Sequence, residues 1–172
     1  KPLLHKATQI NPNYADAHNN LGAALKELGE YQSAINCCQK AIQINPNYAD
    51  AHNNLGAALK ELGEYKKAKA CYKKSIQINP NYVAAHNNLG AALKELGEYQ
   101  SAINCCQKAI QISPNYADAH NNLGAALKEL GEYQNAIRCS QKAIQIQPNL
   151  ESAHFNLGLV FKELGEFTKA IS

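Results

Sequence analysis

The stretch NNLGAALKELGEY occupies residues 19–31, and the same letters begin again at Asn53, Asn87 and Asn121. A looser copy, FNLGLVFKELGEF, begins at Phe155. Consecutive copies are offset by 34 residues, with no insertion or deletion between them. Self-similarity at this period is typical of helix–turn–helix arrays, in which each repeat buries its apolar face against its neighbours. The sequence therefore predicts an all-α repeat protein.

The period divides the chain into full and partial repeats. The full repeats are placed at residues 15–48, 49–82, 83–116 and 117–150, after the end of a truncated repeat at 1–14 and before the start of another at 151–172. Because neither end carries a polar capping helix, we expect a segment of a longer array whose apolar ends favour end-to-end stacking.

Each full repeat encodes two amphipathic helices. In residues 15–48 the first apolar stripe consists of Ala17, Leu21, Ala24, Leu25 and Leu28, and the second of Ala34, Ile35, Cys38, Ala41 and Ile42. Gly29 favours a left-handed end to the first helix, and Pro46 ends the second because it has no N–H. Asn47 is predicted to cap the next first helix.

Glycine recurs inside every first helix, at Gly22 in the first full repeat. Glycine in a helix interior costs about 1 kcal/mol relative to alanine. Its repetition at the same position predicts a close approach of the partner helix, for which a methyl group would be too large.

These residues resemble a known family. The order His18-x2-Leu21-Gly22-x2-Leu25, then Ala34-x3-Cys38, then Pro46 is similar to the tetratricopeptide repeat, with smaller residues where that family carries aromatics. Only Phe161 and Tyr72 restore an aromatic at two of these positions. The resemblance covers the whole chain and implies an all-α, right-handed α-solenoid of helix–turn–helix repeats.

Cysteine is the residue type with the most evident chemical potential: Cys37, Cys38, Cys71, Cys105, Cys106 and Cys139. The adjacent pairs do not have the spacing of a zinc site, and no C-x-x-C occurs. We interpret the cysteines as small apolar residues of a protein in a reducing compartment, cytoplasmic or nucleocytoplasmic.

Histidine recurs once per repeat at His18, His52, His86, His120 and His154. No histidine pair has the i, i+4 spacing of a zinc-binding helix, so a packing role is favoured. Two short helices and a turn provide neither a strained nucleophile nor an oxyanion hole. We therefore expect no enzyme, no metal site and no cofactor.

The net charge of +3 is unevenly distributed, because lysines outnumber acids by six to three in residues 49–82. A nucleic-acid-binding array would carry a basic stripe through every repeat, and no apolar stretch has membrane-spanning length. We expect neither nucleic acid nor membrane as a partner. The lysine-rich stretch at 66–74 is interpreted as a solvated helix face, with contact to an acidic partner as the alternative.

The face of the first helix opposite its apolar stripe is polar, and holds Asp16, Asn19, Asn20, Ala23, Lys26 and Glu27 in the first full repeat. First helices line the inner wall of tetratricopeptide arrays, so the resemblance implies a row of amides along a concave groove. An amide carries donor and acceptor together and can therefore pair with the N–H and C=O of an extended peptide.

The predicted peptide-binding residues form four rows. They are Asn20, Asn54, Asn88, Asn122 and Asn156; Asp16, Asp50 and Asp118; Asn19, Asn53, Asn87 and Asn121; and Lys26, Lys60, Lys94 and Lys128. The first row resembles the asparagines that hold substrate backbones in the repeats of O-linked N-acetylglucosamine transferases. The aspartate row of those enzymes is interrupted here by Ala84 and Ser152.

Three functions follow from these patterns. The preferred one is a non-enzymatic protein–protein interaction scaffold that binds extended or disordered segments of partner proteins in its groove. The alternatives are a self-assembling module that stacks end to end, and the substrate-recruiting arm of a larger glycosyltransferase. For the first row, the alternative to backbone recognition is a solvated helix face that needs polar residues for no further reason.

Overall fold

The computed structural model describes residues 9–165. Within this range both ends are defined for nine α-helices: α1 Ala15–Glu27, α2 Tyr31–Ile44, α3 Ala49–Glu61, α4 Tyr65–Ile78, α5 Val83–Glu95, α6 Tyr99–Ile112, α7 Ala117–Glu129, α8 Tyr133–Ile146 and α9 Glu151–Glu163. Odd-numbered helices are the first helices of the repeats and even-numbered helices are the second. The predicted all-α solenoid class is confirmed.

The chain divides into two compact units, Lys1–Asn88 and Leu89–Ser172. In unit 1, α1 packs on α2, α2 on α3, and α3 on α4, and the first helices α1 and α3 also touch. In unit 2, α7 packs on α6, α8 on α7, and α9 on both α8 and α7. Each helix therefore buries its apolar stripe against its neighbours in sequence, as in a repeat array.

Alanine and leucine dominate the core of both units. The buried apolar residues of α1 to α4 include Ala17, Leu21, Leu25, Ala34, Ile35, Cys38, Ala41, Ala51, Leu55, Ala58, Leu59, Ala68 and Tyr72. Those of α6 to α9 include Ala102, Ile103, Cys106, Ala109, Ala119, Leu123, Ala126, Leu127, Ala136, Ala143, Ala153 and Val160. The predicted stripes are core stripes at most of their positions, but the placement of Leu28 was wrong, because this residue follows the last turn of α1 and is 59% exposed. Ala24 and Ile42 are half-buried at the edges of the stripes.

Glycine ends the first helices as predicted. Gly29 has φ 76°, a left-handed conformation that other residues adopt only with strain. The Glu30 N–H then donates to the carbonyl of Leu25 at 2.9 Å, and the chain turns into α2.

The predicted cap at Asn47 is wrong. The residue before α3 is Tyr48, and no side chain caps the helix there. Instead the Asn47 N–H donates to Oδ1 of Asn45 at 3.1 Å, across the intervening Pro46. The side chain of Asn45, the residue before the proline, therefore closes the turn between the second helix and the next first helix.

The glycines inside the first helices meet their partner helix closely. A Cβ added at Gly22 would lie 2.7 Å from Sγ of Cys38, and one added at Gly56 would lie 2.7 Å from a ring carbon of Tyr72. The predicted close approach is confirmed.

The recurrent histidines fasten each first helix to the turn before it. Nε2 of His52 donates to the carbonyl of Pro46 at 3.0 Å. The same bond forms between His18 and Pro12, His86 and Pro80, His120 and Pro114, and His154 and Pro148. The bond fixes which ring nitrogen carries the proton, and histidine here holds the helix to its turn.

Candidate functional site

The two asparagines of each NN pair have different environments. The first of each pair is buried, with 5 or 6% of its surface exposed: Asn19, Asn53, Asn87 and Asn121. The second is exposed at Asn20 and half-buried at Asn54, Asn88, Asn122 and Asn156. Adjacent helix positions point in different directions, so one asparagine faces inward while the other lies at the surface.

Hydrogen bonds link an asparagine of one first helix to an asparagine of the next. In unit 1, Nδ2 of Asn54 donates to Oδ1 of Asn19 at 2.9 Å, and Nδ2 of Asn88 donates to Oδ1 of Asn53 at 3.0 Å. In unit 2, Nδ2 of Asn156 donates to Oδ1 of Asn121 at 2.8 Å. The buried asparagine thus holds the amide plane of the outer one in a fixed orientation.

The outer asparagines keep part of their hydrogen-bonding capacity after making this bond. An amide has two N–H donors and an oxygen with two lone pairs. One N–H of Asn54 is directed at Asn19, which leaves the second N–H and Oδ1 for another partner. The same holds for Asn88 and Asn156.

The tyrosine before α3 extends this network. Nδ2 of Asn19 donates to the Tyr48 hydroxyl at 3.4 Å. Burial, a hydrogen bond to Asp16 and the charges of Asp16 and Asp50 raise the pKa of Tyr48 to about 12, against the opposing effect of Asn19. The phenol is therefore protonated at neutral pH and donates to the Asp16 carboxylate. Asp16 has a structural partner within unit 1.

In unit 2 different residues hold the buried amide. The residue before α9 is Leu150, which has no hydroxyl, whereas the residue before α3 is Tyr48. Nδ2 of Asn121 donates instead to Oγ of Ser152 at 3.1 Å. A serine in the first turn of α9 thus replaces the tyrosine hydroxyl as the acceptor for the buried amide. The pKa of Tyr116, before α7, is raised by its burial and by the charge of Asp118.

The lysines of the predicted site pair with the next residue along the helix. Nζ of Lys26 lies 2.8 Å from Oε1 of Glu27, and Lys60 lies 3.0 Å from Glu61. The corresponding distance is 2.7 Å for Lys94 with Glu95 and for Lys128 with Glu129. The lysines are half-buried and their glutamate partners are exposed. Ion pairs at the surface contribute about 0–1 kcal/mol, so these lysines can exchange their partners for a ligand's charges.

The structure therefore separates the predicted residues into layers. The outer asparagines, the lysines and the exposed Asp16, Asp50 and Asp118 lie at the surface of the first helices. The row of Asn19, Asn53, Asn87 and Asn121 was expected on this open face but is buried beneath it. Sequence reasoning missed Tyr48, although a tyrosine also precedes α1, α5 and α7 at Tyr14, Tyr82 and Tyr116.

The six cysteines are free thiols. Burial raises the pKa of Cys38 and of Cys106 to about 12, and that of Cys71 to about 11. These thiols are protonated and poorly nucleophilic at neutral pH. Among residues 9–165, no three His, Cys, Asp or Glu side chains converge to hold a metal ion.

Models of the tetratricopeptide repeat match residues 15–48, 49–82 and 71–104, and a TPR-repeat model matches 92–131 and 126–165. The chain belongs to the tetratricopeptide repeat family. Family membership favours a role in protein–protein interaction. Among curated proteins, none matches the chain.

Solved structures of this family share the fold. MamA is 29% identical, with a TM-score of 0.74 over 87% of this chain and 88% of its own. YrrB, described as a TPR protein with an unusual peptide-binding site, is 22% identical, with a TM-score of 0.73 over 98% of this chain and 87% of its own. A thermophilic TPR protein from Thermus thermophilus is 22% identical, with a TM-score of 0.83 over 92% of this chain and 87% of its own.

The helices of the described part of the chain are short and amphipathic. No helix within residues 9–165 combines the length and the hydropathy needed to cross a bilayer.

Proposed function

We propose that the chain is a non-enzymatic scaffold that binds extended segments of partner proteins along its first helices. The outer asparagines make the contacts: Asn20, Asn54 and Asn88 in unit 1, and Asn122 and Asn156 in unit 2. Membership in the tetratricopeptide repeat family supports the general role. YrrB, which has the same fold and is described as having a peptide-binding site, gives further support.

The observation that carries the proposal is the bond from Asn54 to the buried Asn19, repeated from Asn88 to Asn53. A surface asparagine that is free to rotate must lose side-chain entropy before it can bind. Here the buried amide has already fixed the outer one. Each held amide offers an N–H and an oxygen to a guest, and so resembles the edge of a β-strand.

The geometry suits a peptide backbone better than side chains. Packed helices lie about 8–10 Å apart, while an extended chain advances about 3.3 Å per residue. Successive asparagines would therefore meet about every third residue of the guest. Backbone contacts of this kind give broad sequence tolerance, and the cost of ordering a flexible guest keeps the affinity modest.

The exposed aspartates and lysines flank this row and tune the choice of guest. Asp16 already accepts from Tyr48, so it adds negative potential while keeping that partner. Lys26 and Lys60 are held by ion pairs with the exposed Glu27 and Glu61 and can turn toward acidic side chains of the guest. The inner asparagines do not touch the guest and act by holding the outer ones.

The test compares the wild-type chain with a variant carrying Asn20→Ala, Asn54→Ala, Asn88→Ala and Asn122→Ala. Fluorescence anisotropy with a panel of labelled disordered peptides measures the affinity, and circular dichroism checks that helicity is kept. We expect binding to fall by about tenfold or more, because several backbone hydrogen bonds are lost together. Replacing guest residues by proline, which lacks the N–H, should weaken binding to the wild type.

The matched control removes exposed asparagines from second helices, with Asn36→Ala and Asn104→Ala. This control should bind like the wild type. Equal binding by the wild type and the first-helix variant would refute the asparagine contacts. Absence of binding to every peptide would refute the scaffold role itself.

Self-association is a second candidate, favoured by Phe155 on α9. Its side chain is 68% exposed, although the equivalent Asn121 of α7 is covered by the next first helix through Asn156. An apolar side chain at a position that elsewhere contacts the next first helix favours docking of another helix there. The glycosyltransferase arm stays a prediction.

A further inference from the structure

A groove separates the second helices α2 and α4 in unit 1. Two adjoining cavities of about 550 and 450 Å³ share Gln39, Leu55, Ala70 and Cys71, so they form one continuous trough. The complete lining includes Gln32, Ile35, Ile42 and Gln43 from α2, His52 and Leu59 from α3, and Glu64, Lys67 and Lys74 from the α4 side. We call this the α2–α4 groove.

The floor of the α2–α4 groove is apolar. Leu55 and Leu59 of α3 lie beneath it, and Ile35 and Ile42 of α2 form one wall. Exposed Ala70 and half-buried Cys71 form the opposite wall. Burial raises the pKa of the Cys71 thiol, which is therefore an uncharged part of that surface. Such a trough can accept aliphatic side chains.

The rim of the groove on the α4 side is basic. Helix α4 carries Lys66, Lys67, Lys69, Lys73 and Lys74, and its sequence contains no acidic residue. Lys67 pairs with Glu64 at the start of the helix, and Nζ of Lys74 donates to Oε1 of Gln77 at 3.3 Å. Both lysines are exposed and line the trough.

Two sequence differences make this groove particular to α4. At the position of Ala70, helices α2, α6 and α8 carry Asn36, Asn104 and Arg138. Alanine is the smallest of these, and it leaves the wall of the trough open. At the position of Lys67, helices α2, α6 and α8 carry Ser33, Ser101 and Asn135, whereas the position of Lys74 is a lysine in all four second helices. The open wall at Ala70 and the second lysine of the rim, Lys67, therefore occur together in one helix.

We propose that the α2–α4 groove docks an acidic, amphipathic segment of a partner protein. Its aliphatic side chains enter the trough over Leu55 and Leu59, and its carboxylates pair with Lys67 and Lys74. Charge complementarity selects this occupant, because Lys67 and Lys74 line the trough and Glu64, the one carboxylate in the lining, is already paired with Lys67. From Gln32 to Gln43 the trough is about 16 Å long at the rise of a helix, enough for about three turns of a docked helix.

This surface is independent of the asparagines of the first helices. The groove opens between second helices, and the outer asparagines Asn20, Asn54 and Asn88 do not line it. A chain with both surfaces would hold two segments at once, one recognised by its backbone and the other by its charge and aliphatic side chains.

The test uses a fluorescein-labelled synthetic peptide of about twelve residues, built from leucine and glutamate in amphipathic helical order. Anisotropy measures its affinity for the wild-type chain, for Ala70→Arg, and for Lys67→Ser combined with Lys74→Gln. Arginine at the position of Ala70 is already accommodated in α8 as Arg138, so the fold should be kept. Asn36→Arg, which adds the same charge away from the groove, is the matched control.

We expect both groove variants to bind the peptide at least about tenfold more weakly, and Asn36→Arg to bind like the wild type. A scrambled peptide of the same composition should bind more weakly than the amphipathic one. Binding should also decline as salt is added, because the lysines are exposed.

Three results would overturn the proposal. The Ala70→Arg variant could bind the peptide as tightly as the wild type or more tightly, which would show that the peptide is held by general attraction between charges and not in the trough. The wild type could fail to bind the peptide. Binding could instead be lost in the combined variant Asn54→Ala and Asn88→Ala, which would place the peptide on the first helices and leave the asparagine proposal standing.

Discussion

At the scale of single residues, a fully buried tyrosine faces the glycine of α3. A Cβ at Gly56 would lie 2.7 to 3.0 Å from three ring carbons of Tyr72. At Gly124 the nearest atoms are the Ala136 carbonyl and the Ser140 hydroxyl, both at 3.1 Å. The same glycine is therefore more tightly confined in α3 than in α7, because only α4 places an aromatic ring there.

This difference predicts that Gly56→Ala destabilises the chain by about 1–3 kcal/mol, the usual cost of overpacking, despite alanine's better helix propensity. Gly124→Ala should cost less. Urea denaturation followed by circular dichroism measures both. Ser140 of α8 occupies the position of Tyr72. In a Tyr72→Ser background, Gly56→Ala should therefore lower the free energy of unfolding by less. An unchanged penalty in that background would show that the ring is not its cause.

At the scale of helices, the buried asparagines connect neighbouring first helices while the outer ones serve the surface. Asn53→Ala removes the acceptor of Asn88 and should destabilise the chain by about 1–3 kcal/mol, the cost of leaving polar groups unpaired near the core. Asn20→Ala, at an exposed position with no such role in α1, should change stability by less than about 0.5 kcal/mol.

Thermal and urea denaturation of the two variants provide the comparison. Equal stability would mean that water replaces the hydrogen bond between the side-chain amides of Asn88 and Asn53 without loss. Peptide affinity should respond to both changes, to Asn20→Ala through lost contact and to Asn53→Ala through a loosened Asn88. The two effects are distinguished because only Asn53→Ala also lowers stability.

The helices themselves were predictable from local chemistry, whereas the layering of the site was not. Gly29 and Pro46 act on their own backbone, so their consequences follow from sequence. Whether Asn19 or Asn20 faces the next first helix depends on where that helix packs, and both are equally polar. Tyr48 was missed for the same reason, because its partners Asn19 and Asp16 lie more than one helix away in sequence. The α2–α4 groove arises from a small side chain, Ala70, which no motif marks.

At the scale of the whole molecule, self-association depends on exposed apolar side chains at contact positions. Phe155 occupies in α9 the position that contacts the next first helix in α7, and Tyr14, which is 50% exposed, occupies before α1 the position of Tyr48. A second copy that placed its α1 against α9 would cover Phe155 with a helix, much as α9 covers Asn121. Each copy would use two different surfaces, so the association would be head to tail and open-ended.

Sedimentation velocity over a range of protein concentrations tests this arrangement. Phe155→Lys should weaken self-association by about tenfold or more, because a charge would replace the central apolar contact. Leu130→Lys is the matched control, since Leu130 is 43% exposed in the same unit but lies outside that helix face. If Leu130→Lys weakens association as much as Phe155→Lys, the contact is general hydrophobic aggregation. If the wild type sediments as a monomer at every concentration, Phe155 has no role in self-association and peptide binding is left as the function to pursue.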